Sequence, residues 1–322
     1  ASLYDLMITF GIGHTDADNS IWYVVDAIND HPDFAMHFPT DHDEQQAVAA
    51  GFERISAAGF NCCVGAVDGI LIWIHRPSEN DCMNSKVSSG KFFCGRKHKF
   101  GLNCQAVCDA RGRFMDISIV FPGSTSDCLA FEGMSLFRKL EGGLLAPGLC
   151  LFGDNAYLNT TYMATPYTGA ASGGRDDYNF YHSQVRIRIE CAFGMLTHRW
   201  SILRKALPMG ISLQRSVALV VALAKLHNYC INETVPSMTA ADNLQLSLDG
   251  GVPLERSNAA PMRLPRQLMD GGDHFEDMDR LTRRQRERDA ARNHNGLLPR
   301  EQLCIQIQDG HLSRPPPDGR NH

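Results

Sequence analysis

The sequence predicts an α/β fold in which a mixed sheet is flanked by helices. The apolar and β-branched runs that predict strands are 64–74, 98–109, 113–121 and 149–153. A short connection with a glycine, DARGR (109–113), joins the second and third strands and favours an antiparallel hairpin. Later in the chain, 186–200 has apolar residues at helical spacing. Three antiparallel strands followed by parallel strands and a late helix is the order of a ribonuclease-H-like fold.

Composition divides the chain into three parts. Residues 1–60 are predicted to form a helical N-terminal segment, 61–234 the α/β domain, and 235–322 a mostly disordered polar tail. A turn-like stretch precedes the helix that begins near Ser20, which leaves open a remnant of a helix-turn-helix. Because 21–30 contains no Lys or Arg, a packing helix is the alternative to a DNA-reading helix.

The overall composition narrows the class of protein. A net charge of −5 argues against a general nucleic-acid coat protein, although a chain with this net charge can still carry a local basic patch. No apolar run approaches the roughly 20 residues that a membrane span needs, so no membrane partner is expected. The 11 cysteines include no CxxC pair, and we expect mostly buried, reduced thiols.

Three acidic residues are the main candidates for chemistry. Asp68 interrupts an apolar strand, where an unpaired charge is costly, and Asp154 directly follows the fourth strand. Glu190 lies on the late helix, off its apolar stripe. Carboxylate oxygens are the ligands that Mg²⁺ and Mn²⁺ prefer. The element order therefore predicts that the three carboxylates converge on a site for divalent metal, with catalysis at the same residues.

Three further features surround this predicted site. Asp127 either joins the metal ligands or caps the helix that follows it. The segment 91–103 interleaves basic residues with phenylalanines, which suits a phosphate backbone and exposed bases, although a solvated strand entry is the alternative. Arg186 lies four residues before Glu190 and is expected either to orient it or to contact a phosphate. The candidate DNA-binding residues are Lys91, Arg96, Lys97, Lys99 and Arg186.

Five motifs, in this order and spacing, resemble one family. They are GAVDGILIWIHRP (65–77), KFGLNCQAVCDARGRFMDISIVFPGSTSD (99–127), GDNAYLNTTYMATPY (153–167), YNFYHSQVRIRIECAFGMLTHRW (178–200) and LHNYCIN (226–232). Over about 60–232 the chain is similar to the PIF/Harbinger transposase-derived nucleases of the DDE superfamily. The resemblance implies that Asp68, Asp154 and Glu190 are the metal-binding triad and that Asp127 is a further acidic position. It also implies a preceding helix-turn-helix and a Myb-like DNA-binding partner protein.

These observations favour one function over two others. The first hypothesis is a nuclear, metal-dependent DNA endonuclease or transposase that cleaves phosphodiester bonds with two Mg²⁺ or Mn²⁺ ions. One alternative is a domesticated DNA- or chromatin-associated protein that keeps the fold without turnover. The other is a ribonuclease-H-like nuclease that acts on RNA. A cytoplasmic location in addition to the nucleus stays open, and the sequence predicts no oligomeric state.

Overall fold

A mixed six-stranded sheet lies at the centre of the fold. A computed structural model describes residues 3–169, 172–233, 285–287 and 297–315. The strands are β1 (Cys63–Trp73), β2 (Phe93–Cys94), β3 (Lys99–Cys108), β4 (Phe114–Pro122), β5 (Cys150–Phe152) and β6 (Met163–Ala164). β3 lies between β1 and β4 and is antiparallel to both, whereas β5 is parallel to β1 and β6 is parallel to β5. The predicted ribonuclease-H-like arrangement of antiparallel and then parallel strands is confirmed.

The predicted hairpin between β3 and β4 has a clear local cause. Gly112 has φ +79, a left-handed conformation that glycine adopts without strain. The Asp109 carboxylate accepts hydrogen bonds from the backbone N–H groups of Arg111 and Arg113, both at 2.9 Å. Asp109 also pairs with the Arg113 guanidinium at 2.7 Å, so the turn is closed by its own side chains. This hairpin fixes the register of β3 against β4.

Helices cover both faces of the sheet. They are α1 (Leu3–Phe10), α2 (His14–Asp30), α3 (His42–Glu53), α4 (Glu79–Ser85), α5 (Asp127–Glu132), α6 (Ser135–Glu141), α7 (Gly174–Arg199), α8 (Leu213–Glu233) and α9 (Pro299–Asp309). The predicted apolar stripe of α7 is buried, with Val185, Ile189 and Leu196 at 0% exposure. On the other face, Leu136 and Leu140 of α6 belong to a second core cluster. Among the described residues, no helix combines the length and the apolar character that a bilayer crossing requires.

The N-terminal helices form an acidic surface. Residues 1–53 contain ten Asp or Glu and no Lys or Arg. Helix α2 packs on α8, where Asp26 pairs with Arg215 at 2.7 Å. Tyr23 and Val24 of α2 remain largely exposed. Because a DNA-reading helix needs positive charge near phosphates, this geometry favours the packing helix over the DNA-reading helix.

Helix α9 was not expected from the sequence, which predicts a mostly disordered tail from 235 onward. Leu303, Cys304 and Ile307 are buried, and α9 packs against α7. Beyond the helix, the Tyr181 hydroxyl donates a hydrogen bond to the Ser313 carbonyl at 2.9 Å. The rest of the predicted tail, 234–284, 288–296 and 316–322, lies outside the described residues.

Substitution of two isoleucines on α9 can measure how much this packing contributes to the free energy of unfolding. Ile307 is 0% exposed and Ile305 is 45% exposed on the same helix. Ile307→Ala is expected to lower the free energy of unfolding by about 2–5 kcal/mol, because it leaves a cavity against α7. Ile305→Ala is expected to change it by less than about 0.5 kcal/mol. Chemical denaturation of the whole chain measures both values, and equal values would show that α9 does not support the domain.

Candidate active site

Asp68 lies on β1, and Asp154 lies just beyond the end of the neighbouring parallel strand β5. In the pairing of β1 with β5, Ala66 is opposite Phe152. Asp68 and Asp154 each lie two residues beyond that pair, and the two carboxylates are close enough for the charge of Asp154 to act on Asp68. The fold therefore brings together two carboxylates that are 86 positions apart in the sequence. This juxtaposition is a direct consequence of the parallel β1–β5 register.

The electrostatic environment of Asp68 disfavours its charged form. Burial is the largest cause, and the charges of Asp154 and Asp127 add to it, so the pKa of the Asp68 carboxyl is raised to about 6. A hydrogen bond from the Gly69 backbone N–H at 2.7 Å and the charge of Arg186 oppose this shift. On balance, the charged form of the Asp68 carboxyl stays disfavoured, and a bound cation would stabilise it.

Glu190 reaches this pair of aspartates through an arginine. The Arg186 Nη1 atom lies 2.6 Å from Glu190 Oε1 and 3.6 Å from Asp68 Oδ2. Arg186 and Glu190 are four residues apart on α7, so they share one face of the helix above the sheet. The predicted contact between Arg186 and Glu190 is thus present, and the same guanidinium also faces Asp68. A single positive group therefore bridges the strand and the helix.

Asp127 lies on the other side of β1, beneath Gly69. Its Oδ1 atom accepts hydrogen bonds from Asn103 Nδ2 at 3.0 Å and from Gln105 Nε2 at 2.9 Å. The buried Tyr157 hydroxyl donates to Gln105 Oε1 at 2.6 Å and completes a polar network. Asp127 does not cap α5, because the Ser126 side chain is the N-cap. The predicted capping role is therefore wrong.

Sequence reasoning missed the other members of this network. Asn103 and Gln105 are polar residues two positions apart in an otherwise apolar strand. Alternate positions of a strand lie on one face, so this pair was the available signal for a polar site on that face. Tyr157 carried no such signal, because its place beside Gln105 depends on the loop after β5.

Gly69 permits this network because it has no side chain. A Cβ atom at this position would collide with Gln105 Nε2 and Asp127 Oδ1. Gly69→Ala is therefore expected to lower the free energy of unfolding by about 1–3 kcal/mol, since both partners must shift. Gly95→Ala is the matched control, because a Cβ there meets no atom within 4 Å. Urea denaturation of both variants tests this, and a Gly69→Ala variant as stable as Gly95→Ala would contradict it.

The predicted basic residues flank the site on the β2–β3 hairpin. Arg96 is largely exposed, and its Nη2 atom lies 3.9 Å from Asp127 Oδ2. Lys97 is exposed at the hairpin turn, and Lys99 Nζ lies 3.1 Å from the centroid of the Trp73 ring. Lys91 lies in the 3₁₀ turn Ser89–Phe92, next to the start of β2. The hairpin thus extends positive charge outward from the edge of the acidic site.

The donor chemistry of the site fits a divalent metal. In the part of the chain that the structure describes, no three His, Cys, Asp or Glu side chains are already arranged to hold an ion together. Arg186 instead places its positive charge between Asp68 and Glu190. Asp68 and Asp154 supply neighbouring hard oxygen donors, and the raised pKa of Asp68 shows that more positive charge is needed there. These residues, together with Glu190, could hold Mg²⁺ or Mn²⁺.

Comparisons with known proteins give one matching family model and several related proteins. The family model described as "DDE superfamily endonuclease" matches residues 67–228, just over half of the 322 residues. The chain is 28% identical over 219 residues to "Putative nuclease HARBI1" of Bos taurus and of Homo sapiens, covering 68% of this chain and 59% of each relative. It is 24% identical over 237 residues to "Protein ALP1-like" of Arabidopsis thaliana, covering 70% and 55%.

The chain thus spans less than two thirds of the length of these relatives. No solved structure matches it. The family model begins next to Asp68, and it includes Asp154 and Glu190 within its range. The resemblance to the Harbinger transposase-derived nucleases is confirmed, and the chain belongs to the DDE superfamily endonuclease family.

Proposed function

We propose that this protein is a metal-dependent DNA endonuclease or transposase derived from a Harbinger-like mobile element. The observation that carries the proposal is that the parallel pairing of β1 with β5 brings Asp154 close to Asp68, while Arg186 links Asp68 to Glu190. In a member of the DDE superfamily, this is where phosphodiester cleavage would occur. Divalent ions held there would activate the attacking water or hydroxyl and stabilise the leaving oxygen.

The proposed metal ligands are carboxylate side chains of this protein. Asp68, Asp154 and Glu190 are the proposed ligands and the catalytic residues. Asp127 remains a candidate ligand only through Oδ2, because Oδ1 already accepts two amide hydrogen bonds. The network around Asp127 instead joins α5 to β3 and, through Tyr157, to the loop after β5.

Arg186 has a second proposed role at the phosphate. Its guanidinium pairs with two carboxylates that metal would neutralise, so metal loading would free it. A guanidinium presents a planar pair of donors that matches two phosphate oxygens. Arg186 would then bind the phosphate at the cleavage position while the carboxylates hold the metal.

The distribution of charge supports DNA as the substrate. Residues 54–233 contain 19 Lys or Arg against 13 Asp or Glu, although the whole chain has a net charge of −5. This basic excess includes Arg96, Lys97 and Lys99, which are exposed on the hairpin beside Asp127. These residues and Lys91 would bind phosphates of the DNA backbone near the site. DNA as substrate implies work in the nucleus, and a Myb-like protein is the proposed partner for target choice.

One observation favours a second candidate function. Arg186 supplies positive charge to Asp68 and Glu190 without any metal, as expected for a DNA-associated protein without turnover. A strand-cleavage assay separates the two. Supercoiled plasmid should be nicked with Mg²⁺ or Mn²⁺ and left intact with EDTA, while binding persists in EDTA. Binding without nicking under every metal condition would favour the second function, and cleavage of RNA alone would favour the ribonuclease alternative.

A further inference from the structure

A cavity of about 320 Å³ opens where the far ends of β1 and β3 meet the chain that follows α7. Its lining consists of Trp73, Ile74, Lys99, Phe100, Lys205 and Ala206. The volume lies at the lower end of the roughly 300–1,000 Å³ that is usual for small-ligand pockets. Apart from Lys99, these residues have no role in the proposed acidic site, so the cavity needs a separate explanation.

The walls of the cavity are fixed by backbone hydrogen bonds. The Leu207 N–H donates to the Trp73 carbonyl at 2.9 Å, and the Ile74 N–H donates to the Phe100 carbonyl at 3.0 Å. The Phe100 ring packs edge-on against Phe93 with 5.3 Å between centroids. The backbone of the cavity wall and the Phe100 ring are therefore held in place before any ligand arrives, which reduces the entropy lost on binding.

The rim of the cavity is positively charged. Lys99 Nζ lies over the Trp73 ring, 3.1 Å from its centroid, and Lys205 stands among the other lining residues. Neighbouring Arg204 is exposed, and none of the six lining residues is acidic. Flat apolar rings flanked by ammonium groups suit a ligand with an aromatic face and a negative charge. A nucleotide has both features.

The position of the cavity relates it to the acidic site. Trp73 lies five residues beyond Asp68 on the same strand. At about 3.3 Å per residue, the two positions are roughly 17 Å apart along β1. This equals about five stacked nucleotides at roughly 3.4 Å each. The distance along β1 is therefore within the span of a short DNA segment that flanks a cleavage position at Asp68.

We propose that this cavity binds an unpaired base of the DNA strand that flanks the cleavage position. The base stacks on the Trp73 ring, and Lys99 and Lys205 pair with its phosphates. Lys99 leaves the Trp73 ring on binding, which its long flexible side chain permits. The inference rests on the proposed function, because it takes DNA as the substrate. It adds a preference for single-stranded or locally opened DNA next to the cut.

The test compares two oligonucleotides that differ only in their bases. A labelled 12-nucleotide oligo-dT and an abasic oligomer of equal length are titrated with the full chain in EDTA, using fluorescence anisotropy. One stacked base should give about 5- to 150-fold tighter binding of oligo-dT. Trp73→Leu should abolish this difference. Trp22→Leu is the matched control, because Trp22 also has a stacked cation, Arg215 at 4.9 Å, and lies on α2.

A lysine variant separates stacking from charge. Lys205→Ala should weaken binding of both oligomers by a similar factor, since it removes a phosphate contact and no ring. Should Trp73→Leu fail to fold, photocrosslinking of an iodouracil oligomer to the wild-type chain replaces it, with attachment expected at Trp73 or Phe100. Attachment elsewhere would overturn the proposal.

Equal binding of the two oligomers by the wild type, or binding of neither, would also overturn the base subsite. So would equal effects of Trp73→Leu and Trp22→Leu. Metal-dependent plasmid nicking without a base preference would leave the proposed nuclease function intact and remove only the subsite. A base preference without nicking under any metal condition would support the subsite and count against the nuclease.

Discussion

Asp68→Asn is expected to slow metal-dependent DNA cleavage by about 10³-fold or more. A metal ligand acts through several kcal/mol of charge stabilisation in the transition state, and each 1.36 kcal/mol changes the rate tenfold. The same substitution should raise the melting temperature, because it removes a buried charge that Asp154 and Asp127 repel. Loss of activity together with gain of stability would identify a residue kept for chemistry. Single-turnover nicking with Mn²⁺ and thermal unfolding in EDTA measure the two effects.

Asp116 provides the matched control for this experiment. Its carboxyl is buried, its pKa is also raised to about 6, mainly by burial, and it accepts a hydrogen bond from the next backbone N–H at 2.8 Å. Asp116→Asn should therefore also raise the melting temperature while leaving the nicking rate unchanged. An Asp68→Asn variant that nicks plasmid as fast as Asp116→Asn would eliminate Asp68 as a catalytic residue.

Arg186→Gln is expected to bind Mn²⁺ about 10- to 100-fold more tightly than the wild type. Arg186 competes with metal for Asp68 and Glu190, and hydrogen bonds to charged groups contribute about 1.5–3 kcal/mol. Cleavage at saturating metal should nevertheless fall by about 10²–10³-fold, because a donor to the transferring phosphate is lost. Isothermal titration with Mn²⁺ and single-turnover cleavage at saturating metal measure the two quantities separately.

Arg186→Lys separates charge from shape. Lysine keeps the positive charge, so metal affinity should stay near that of the wild type, whereas cleavage should fall because the forked phosphate contact is lost. Arg175→Gln, an exposed position at the start of the same helix, should change neither quantity. Weaker Mn²⁺ binding in Arg186→Gln would instead mean that Arg186 holds Glu190 in place as a ligand.

Local sequence patterns predicted the elements that carry the proposed triad. Asp68 stood out because an acidic residue interrupts an apolar strand, and α7 was visible from the spacing of Val185, Ile189 and Leu196. The prediction that the three acidic residues converge also depended on the resemblance to a known family, because sequence spacing does not fix strand register. The β1–β5 pairing supplies that register, with Asp68 and Asp154 equally far beyond one pair.

Long-range packing explains what the sequence did not reveal. Helix α9 has only Leu303, Cys304 and Ile307 as buried residues, among glutamines that suggest solvent exposure. Its stability depends on α7, more than 100 residues earlier, and no local pattern shows that contact. The cavity beside Trp73 is similar, since Lys205 comes to it from the chain that follows α7. The sequence shows the charge of each residue, but it does not show which residues lie next to it in the fold.

The division of charge along the chain has a consequence for the encounter with DNA. Residues 1–53 have a net charge of −10, whereas residues 54–233 have 19 basic and 13 acidic residues and a net charge of +6. Such an asymmetry gives the molecule an electric dipole, and the field of a polyanion exerts a torque on it. If DNA is the substrate, as proposed, it would repel the N-terminal helices and turn the basic hairpin toward itself before contact. This steering weakens as salt shortens the Debye length, which is about 10 Å at 0.1 M. The N-terminal segment would thus orient the molecule in solution without contacting the substrate.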